Sequence, residues 1–224
     1  MMRSRQTRAT AAGIGVAAVT AAATVSVTPA ASADPAPPPE CGPACERVVD
    51  VVFPESARFA AWRDTSAPGG RAVLAYYVAD ELHDSTVLEH RDVTGGDCGR
   101  QGDAWRCTVG FDEAMHGSGA LTALLTGDDG ITVSDELVGN APGAELVRLN
   151  GDDRPDLALR QSTYEPNYAE APQYWETYVE VGGTFLRTGC TTPRHDDAPT
   201  PTEPAYGSCS HPGWSGATLS GTPV

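Results

Sequence analysis

The sequence predicts a mainly β fold: a small antiparallel β domain, either a sandwich or a blade-like unit, with one or two short helices and disulfide staples. Short runs rich in β-branched and aromatic residues recur between turn signals, which is typical of antiparallel strands. Two of these runs flank a Gly-Gly pair, and the number of cysteines is even. The runs with strand character are 48–53, 72–78, 85–93, 106–111, 131–138, 144–149, 156–162, 174–181 and 184–189.

Two stretches of the domain are candidates for the short helices. Residues 55–62 include no β-branched side chain and follow a proline. Residues 120–125 place three leucines at helical spacing. Both patterns favour a helix over a strand.

The first segment of the chain has the anatomy of a secretory signal peptide. Residues 1–33 contain three arginines and no acid, continue through small and apolar residues, and end in Ala-Ser-Ala. We therefore expect cleavage after Ala33, and a secreted, extracellular protein with no membrane span in its mature form. The alternative, a retained membrane anchor, is disfavoured because hydroxyl residues interrupt the apolar run before it reaches about 20 residues.

The rest of the chain divides into three parts. Residues 34–46 form a Pro-rich spacer, too poor in apolar side chains to join a core. Residues 47–190 form the β domain, and residues 191–224 form an irregular tail rich in Pro, Thr and Gly. We expect Cys209 to hold this tail at one point.

Charge and composition exclude some classes of partner. The whole chain has a formal charge of −15, and residues 1–33 hold three of its fifteen basic residues and none of its thirty acids, which leaves −18 for the remainder. Nucleic acid and anionic membrane surfaces are poor partners for such a chain. The absence of lysine and the abundance of Ala, Gly, Pro, Thr, Asp and Arg resemble exported proteins of high-GC Gram-positive bacteria, a likeness that implies no activity.

The cysteines predict three disulfides, because all six follow the expected cleavage site of an exported chain. The preferred pairs are Cys98 with Cys107, Cys41 with Cys45, and Cys190 with Cys209. The first pair is the most secure, since a Gly-rich turn separates its members. A crossed arrangement that joins the N-terminal segment to the tail stays open for the other four. A zinc site is disfavoured, because no second close cysteine pair and no histidine at ligand spacing accompany CGPAC.

The clearest local prediction is a hairpin around Gly182-Gly183, a two-residue turn between two alternating segments. If Val181 faces Thr184, the side chains divide into two faces. One face contains Trp175, Thr177, Val179, Val181, Leu186 and Cys190, and the other contains Glu176, Tyr178, Glu180, Phe185 and Arg187. We expect the first face to be the core face, so that Cys190 points inward and its disulfide is buried.

The segment LNGDDRPD, residues 149–156, has the composition of a calcium loop. Calcium takes several oxygen ligands, which short acidic loops supply from alternate positions. The segment resembles the calcium loop of the FG-GAP and VCBS repeats of integrin-type β-propellers, with the typical pattern D-x-N-G-D-G-x-P-D-L. The resemblance implies metal ligands at Asn150, Asp152 and Asp156, together with the carbonyl of Arg154.

Two positions of this loop depart from the family pattern. Arg148 stands where the first aspartate ligand is expected, and Asp153 stands where the glycine is expected. Two readings stay open: an acid from elsewhere, such as Asp135 or Glu136, completes a Ca²⁺ site, or Arg148 pairs with one of the loop's own acids in a salt-bridged turn. The domain could hold three blades at most, so we expect one blade-like unit and not a closed propeller.

Ligand-binding residues are predicted just after the acidic loop. Tyr164, Tyr168, Tyr174 and Trp175 lie close together in the sequence, and such amphipathic rings could stack on a sugar or grip a peptide. The alternative is that the rings pack inward and hold a long loop in place.

These features predict a secreted, non-catalytic β module that binds an extracellular carbohydrate or protein. Calcium assistance is a hypothesis that depends on the acidic loop. The alternative is a secreted hydrolase whose site is assembled only in the fold, because the sequence contains neither a nucleophile elbow nor a closely spaced histidine pair.

Overall fold

The computed structural model describes residues 34–113 and 117–209. The predicted signal peptide and residues 210–224 of the predicted tail lie outside the described residues. Among the described residues, no helix is long and apolar enough to cross a membrane. The fold is mainly β, as predicted, and consists of three four-stranded antiparallel sheets without a closed barrel.

Each sheet is a meander of four strands that follow one another in the chain. Sheet 1 contains β1 (Cys45–Val52), β2 (Ala57–Asp64), β3 (Arg71–Val78) and β4 (Glu81–Glu89). Sheet 2 contains β5 (Arg91–Gln101), β6 (Ala104–Glu113), β7 (Gly117–Thr126) and β8 (Gly130–Val138). Sheet 3 contains β9 (Ala144–Val147), β10 (Asp156–Ser162), β11 (Gln173–Val181) and β12 (Thr184–Cys190).

Sheet 2 is the middle layer, because side chains from both of its faces are buried against a neighbouring sheet. Val109 and Phe111 of β6 share a core with Phe59 and Leu74 of sheet 1. Side chains alternate along a strand, and the opposite face of sheet 2 packs on sheet 3. That second core contains Ala120, Leu137, Leu157, Leu159, Tyr178 and Phe185.

Both predicted helices are wrong. Residues 55–62 fall largely in β2, and residues 120–125 fall in β7. Both strands are buried on their two faces, so their apolar residues form nearly continuous runs without the alternation that identifies a half-exposed strand. The single helix of the described residues is a 3-10 turn, Pro54–Ser56.

The predicted strand 85–93 is two strands in the structure. β4 ends at Glu89 and β5 begins at Arg91, with His90 between them at a positive φ of 59°. β4 pairs with β3, whereas β5 pairs with β6. This one-residue turn therefore moves the chain from sheet 1 to sheet 2.

The predicted hairpin is confirmed, and three members of its predicted core face, Trp175, Thr177 and Cys190, are buried, but the predicted faces are wrong close to the turn. Val181 pairs with Thr184 across the Gly-Gly turn. Tyr178 and Phe185 are buried against sheet 2, whereas Val181 and Leu186 are 48% and 49% exposed. The prediction failed because two glutamates share the face of Tyr178, and acids suggest a surface position unless they have partners in the interior.

The three preferred disulfides are all present: Cys41–Cys45, Cys98–Cys107 and Cys190–Cys209. Cys190 is buried, as predicted. A register shift in the hairpin places it opposite Glu176, on the face that the sequence assigned to the surface.

Both ends of the described chain cover an outer face of the stack. Pro35 and Pro38 are buried, so the predicted spacer is part of the packed structure. At the other end, Ala198 and Ala205 bond to side chains of β11. The tail is thus held at several points besides Cys209.

Candidate functional site

Asp156 closes the acidic loop from inside the protein. It begins β10 and is fully buried. Its Oδ2 accepts hydrogen bonds from the backbone N–H groups of Leu149 at 2.7 Å and Asn150 at 3.2 Å. Its Oδ1 accepts one from the N–H of Glu180 at 2.9 Å. Because buried N–H groups need acceptors, this carboxylate ties the loop to β11.

Asp152 organises the tip of the same loop. Its Oδ1 accepts a hydrogen bond from the N–H of Arg154, and its Oδ2 accepts bonds from the side chains of Asn150 and Arg154, all at 2.9 Å. Burial raises the pKa of Asp152, but these hydrogen bonds outweigh burial, and the pKa lies below its ordinary value of 3.8. The tip is an ionised, hydrogen-bonded turn.

Arg148 pairs with neither Asp152 nor Asp156 of the loop. Its guanidinium donates to Asp97 of β5 at 2.6 Å, and both side chains are nearly half exposed. The expected pairing of Arg148 within the loop is therefore wrong, and Arg154 takes that role by pairing with Asp152. Arg148 and Asp97 instead line a groove of about 300 Å³ between β5 and β9.

The three predicted metal ligands do not fit a calcium site. The carboxylates of Asp152 and Asp156 already accept hydrogen bonds from N–H donors, and the guanidinium of Arg154 lies against Asp152. Neither acid considered from elsewhere is available to complete the set. Asp135 accepts from the N–H of Phe185, and Glu136 accepts from Arg91. The loop is therefore a salt-bridged turn, with Arg154 and not Arg148 as the partner of Asp152.

A buried ion-pair cluster connects this loop to sheet 2. Glu180 is 1% exposed and lies 3.2 Å from the guanidinium of Arg154 and 3.6 Å from that of Arg106. Arg106 also donates to Ser134 at 2.8 Å. Burial lowers the pKa of Arg106, while the charge of Glu180 opposes this shift. The cluster is a structural link between sheets 2 and 3.

Within the described residues, one group of metal-ligand side chains converges: Glu176, Cys190 and Cys209, whose ligand atoms lie within 4.8 Å of one another. The two sulfurs form a disulfide, so they are not thiolate ligands. Glu176 accepts a hydrogen bond from the hydroxyl of Tyr178, and burial followed by this carboxylate's charge raises the pKa of Tyr178. The group therefore belongs to the buried polar interior.

The predicted aromatic binding residues separate into two pairs. Tyr174 and Trp175 are 2% and 5% exposed, and the indole N–H of Trp175 donates to the carbonyl of Ala198 at 3.1 Å. Tyr164 is 47% exposed, and its ring lies 5.5 Å from that of Tyr168. The first pair holds the structure together, and the second is accessible to a ligand.

The loop that carries Tyr164 and Tyr168 is held by its own backbone. The N–H of Thr163 donates to the carbonyl of Pro172 at 3.0 Å and closes the loop. Asn167 bends the loop, since its Oδ1 accepts from the N–H groups of Ala169 and Glu170 and its carbonyl accepts from the N–H of Ala171. Such internal hydrogen bonds position side chains without secondary structure.

This tyrosine loop forms one wall of a cleft of about 400 Å³. The opposite wall is the start of the tail, which bonds to β11 through the backbones of Gln173 and Arg194 at 2.7 and 2.9 Å. The lining is mostly polar and charged. It contains Arg160, Ala169, Glu170, Ala171, Gln173, Arg194, His195, Asp196 and Asp197.

Ion pairs hold the two guanidiniums of the cleft. Arg160 lies over the ring of Trp175 at 5.9 Å and pairs with Asp197 at 2.6 Å. Arg194 donates to both carboxylate oxygens of Asp196, and this bond, more than any other contact, lowers the pKa of Asp196. Asp197 is 93% exposed, so its hold on Arg160 is open to competition from a ligand.

Tyr168 is the less exposed member of the aromatic pair. Burial and the neighbouring Tyr164 raise its pKa, whereas the charge of Arg160 lowers it. Sequence analysis found the tyrosines but missed Arg160, Arg194 and the acids 196 and 197. The cluster RHDD in the predicted irregular tail was the available signal.

Comparison of the chain with protein-family models, with curated proteins and with solved structures gave no match.

Proposed function

We propose that this protein is a secreted, non-catalytic module that binds an extracellular carbohydrate in the cleft between the tyrosine loop and the start of the tail. The observation that carries the proposal is the position of two neighbouring tyrosines, Tyr164 and Tyr168, on the loop whose residues 169–171 line a cleft with paired charges and an amide. Concave sites with a few well-placed polar groups are typical of ligand binding.

The polar lining has the chemistry that sugar hydroxyls need. Each hydroxyl both donates and accepts a hydrogen bond. Arg160 and Arg194 supply donors, Glu170 and Asp197 supply acceptors, and Gln173 supplies both. The ion pairs hold these groups in place before a ligand arrives, which reduces the entropy cost of binding.

The tyrosine pair supplies the apolar part of the surface. Tyr164 and Tyr168 lie side by side with their ring planes tilted by 50°. A pyranose ring has an apolar C–H face that packs on an aromatic ring, while the phenol hydroxyl stays in water. The net negative charge of the chain favours a neutral polysaccharide over an acidic one.

Secretion is part of the proposal. It is supported by the signal-peptide pattern of residues 1–33 and by three disulfides, which persist in oxidising compartments outside the cytosol. Calcium is not part of it, because the donors around Asp152 and Asp156 are the protein's own.

One acid of the cleft, Asp196, argues against the hydrolase alternative. Hydrolysis of a glycosidic bond needs a carboxylic acid with a raised pKa to protonate the leaving oxygen. The pKa of Asp196 is lowered instead, because Arg194 donates hydrogen bonds to its carboxylate. That acid is therefore a ligand-holding anion at neutral pH.

Affinity electrophoresis against a panel of neutral polysaccharides, followed by calorimetry with the oligosaccharide of the polysaccharide that binds, tests the proposal. Tyr168→Ala should weaken binding about tenfold or more, since a stacked ring contributes roughly 1 kcal/mol or more beyond its area. The matched control is Tyr206→Ala, because Tyr206 is 82% exposed and lies outside the tyrosine loop. Binding to none of the panel, or equal losses in both variants, would contradict the proposal.

A further inference from the structure

The outer face of sheet 1 contains a groove that is occupied by the chain itself. Its floor consists of small and β-branched side chains, and its two large aromatic residues, Trp62 and Tyr77, are both buried. The covering segment is residues 34–40, with the sequence DPAPPPE, which we call the N-terminal arm. The remaining core residues of this face are Ala60, Val73 and Ala75.

The arm shows the periodicity of a polyproline helix. Pro35 and Pro38 are buried, whereas the residues between and beside them are exposed. A polyproline helix has three residues per turn, so residues three apart lie on one face. The buried pair is therefore the face that the arm presents to sheet 1.

Polar contacts fix the direction of the arm in the groove. The hydroxyl of Tyr77 donates to the carbonyl of Ala36 at 2.8 Å. Arg47 pairs with Asp34 at 2.8 Å, and Arg71 donates to the carbonyl of Glu40 at 2.9 Å. A polyproline helix has no internal hydrogen bonds, so its carbonyls are free to accept bonds from aromatic donors of a groove.

The tail makes a contact of the same type at the other end of the stack. The indole of Trp175 donates to the carbonyl of Ala198, and Pro201 and Pro204, again three residues apart, are half-buried. The hydrogen bond between an aromatic donor and the carbonyl of a proline-rich segment thus occurs twice in the described structure. The arm is the candidate for exchange, since within the described part of the chain its polar groups are held by the side chains of Tyr77, Arg47 and Arg71.

We propose that the outer face of sheet 1 is a recognition surface for a proline-rich extended peptide of another extracellular protein, with prolines three residues apart and an acid before the first. The N-terminal arm is its intramolecular competitor. Arg47 selects the acid, Trp62 and Tyr77 select the proline face, and the tether at Cys41 raises the effective concentration of the arm to the millimolar range or above. This inference rests on the proposed secretion but not on the proposed carbohydrate cleft of sheet 3.

The test uses the synthetic peptide DPAPPPE and the full chain with a weakened arm, Pro35→Ala with Pro38→Ala. Calorimetry should show peptide binding to this variant and at least about tenfold weaker binding to the wild type, because the intact arm competes. The peptide DAAPAPE, which lacks both groove-facing prolines, is the control ligand. Equal binding of the two peptides, or no binding of DPAPPPE to the folded variant, overturns the proposal.

Tyrosine variants separate recognition from general stability. In the weakened-arm background, Tyr77→Phe should reduce peptide affinity about three- to tenfold, the effect of one hydrogen bond. Tyr76→Phe is the matched control, because Tyr76 is the next residue on β3 and belongs to the core on the opposite face. Equal effects of the two substitutions would contradict the assigned role of Tyr77.

A wild-type measurement keeps the proposal testable if the weakened-arm chain does not fold. The carbonyl of Ala36 accepts the hydrogen bond of Tyr77, so the backbone resonances of Ala36 in isotope-labelled wild type report on the docked arm. Millimolar unlabelled DPAPPPE should shift these resonances toward those of an undocked segment, and no shift overturns the proposal. A wild-type dimer by light scattering that is lost on Pro35→Ala with Pro38→Ala would assign the groove to a second copy and overturn the choice of another protein.

Discussion

The buried Oδ1 of Asp156 accepts a hydrogen bond from the backbone N–H of Glu180 at 2.9 Å, which joins the acidic loop to the strand that leads into the Gly-Gly hairpin. The other oxygen of the same carboxylate holds the loop backbone at Leu149 and Asn150. An acid that looks like a metal ligand in the sequence is thus an acceptor for three backbone donors. This role predicts how the loop responds to mutation, acid and calcium.

Asp156→Asn should lower the free energy of unfolding by about 3 kcal/mol, because charge-assisted bonds are lost and an amide N–H₂ faces a backbone donor. Urea unfolding at neutral pH measures the change. Asp153→Asn is the control in the same loop, since Asp153 is exposed, and its effect should stay within about 0.5 kcal/mol. Similar losses in both variants would contradict the clamp.

Glu180→Gln should destabilise the protein by about 3 kcal/mol, because it leaves the guanidiniums of Arg106 and Arg154 without their shared buried anion. Glu145→Gln on β9 is the control, since Glu145 is exposed. Thermal and urea unfolding of both variants give the comparison. A Glu180→Gln variant as stable as the wild type would show that the cluster does not link sheets 2 and 3.

The lowered pKa of Asp152 predicts how the stability of the protein depends on pH in acid. Its pKa is lower in the folded protein than its ordinary value of 3.8, so its stabilising contribution is complete above that value and is lost as the pH falls through the folded pKa. Urea midpoints between pH 2 and 6 should therefore fall less steeply in Asp152→Asn than in the wild type. Asp153→Asn is the control and should keep the wild-type slope; a wild-type slope in Asp152→Asn would refute the assignment.

Calcium should leave the melting temperature unchanged within about 1 °C, and a chelator should do the same. A site occupied at one hundred times its Kd would add about 2.7 kcal/mol to stability. Differential scanning calorimetry in millimolar CaCl₂ and in EDTA distinguishes the two cases. A clear rise with calcium that Asp152→Asn abolishes would restore the metal site that the FG-GAP resemblance implies.

The strand content was predictable because turn residues and β-branched runs are local signals. The stack of three meanders was not predictable, because the three sheets share the same strand order without a repeated sequence. β2 and β7 were mistaken for helices since burial on both faces removes the alternation of a strand. Close to the turn the hairpin faces were inverted, because Glu176 and Glu180 are buried beside Gln161 and Arg154. The sequence pattern does not predict these long-range contacts.

Half of the candidate site was predictable in the same sense. Tyr164 and Tyr168 were visible as neighbours in the sequence, but Arg160 and Arg194 come together only because the tail pairs with the start of β11. The burial of Trp175 depends on Ala198, which lies in a segment with no strand or helix signal. Contacts across such distances depend on tertiary pairing, which composition and periodicity do not encode.

The most direct test of the account is heteronuclear NMR of the protein titrated with the oligosaccharide of a polysaccharide that it binds. The account predicts that the perturbed resonances are confined to the tyrosine loop, residues 163–173, and to Arg160 and residues 194–197. Perturbations centred on the acidic loop at residues 149–156, with the tyrosine loop unchanged, would contradict it.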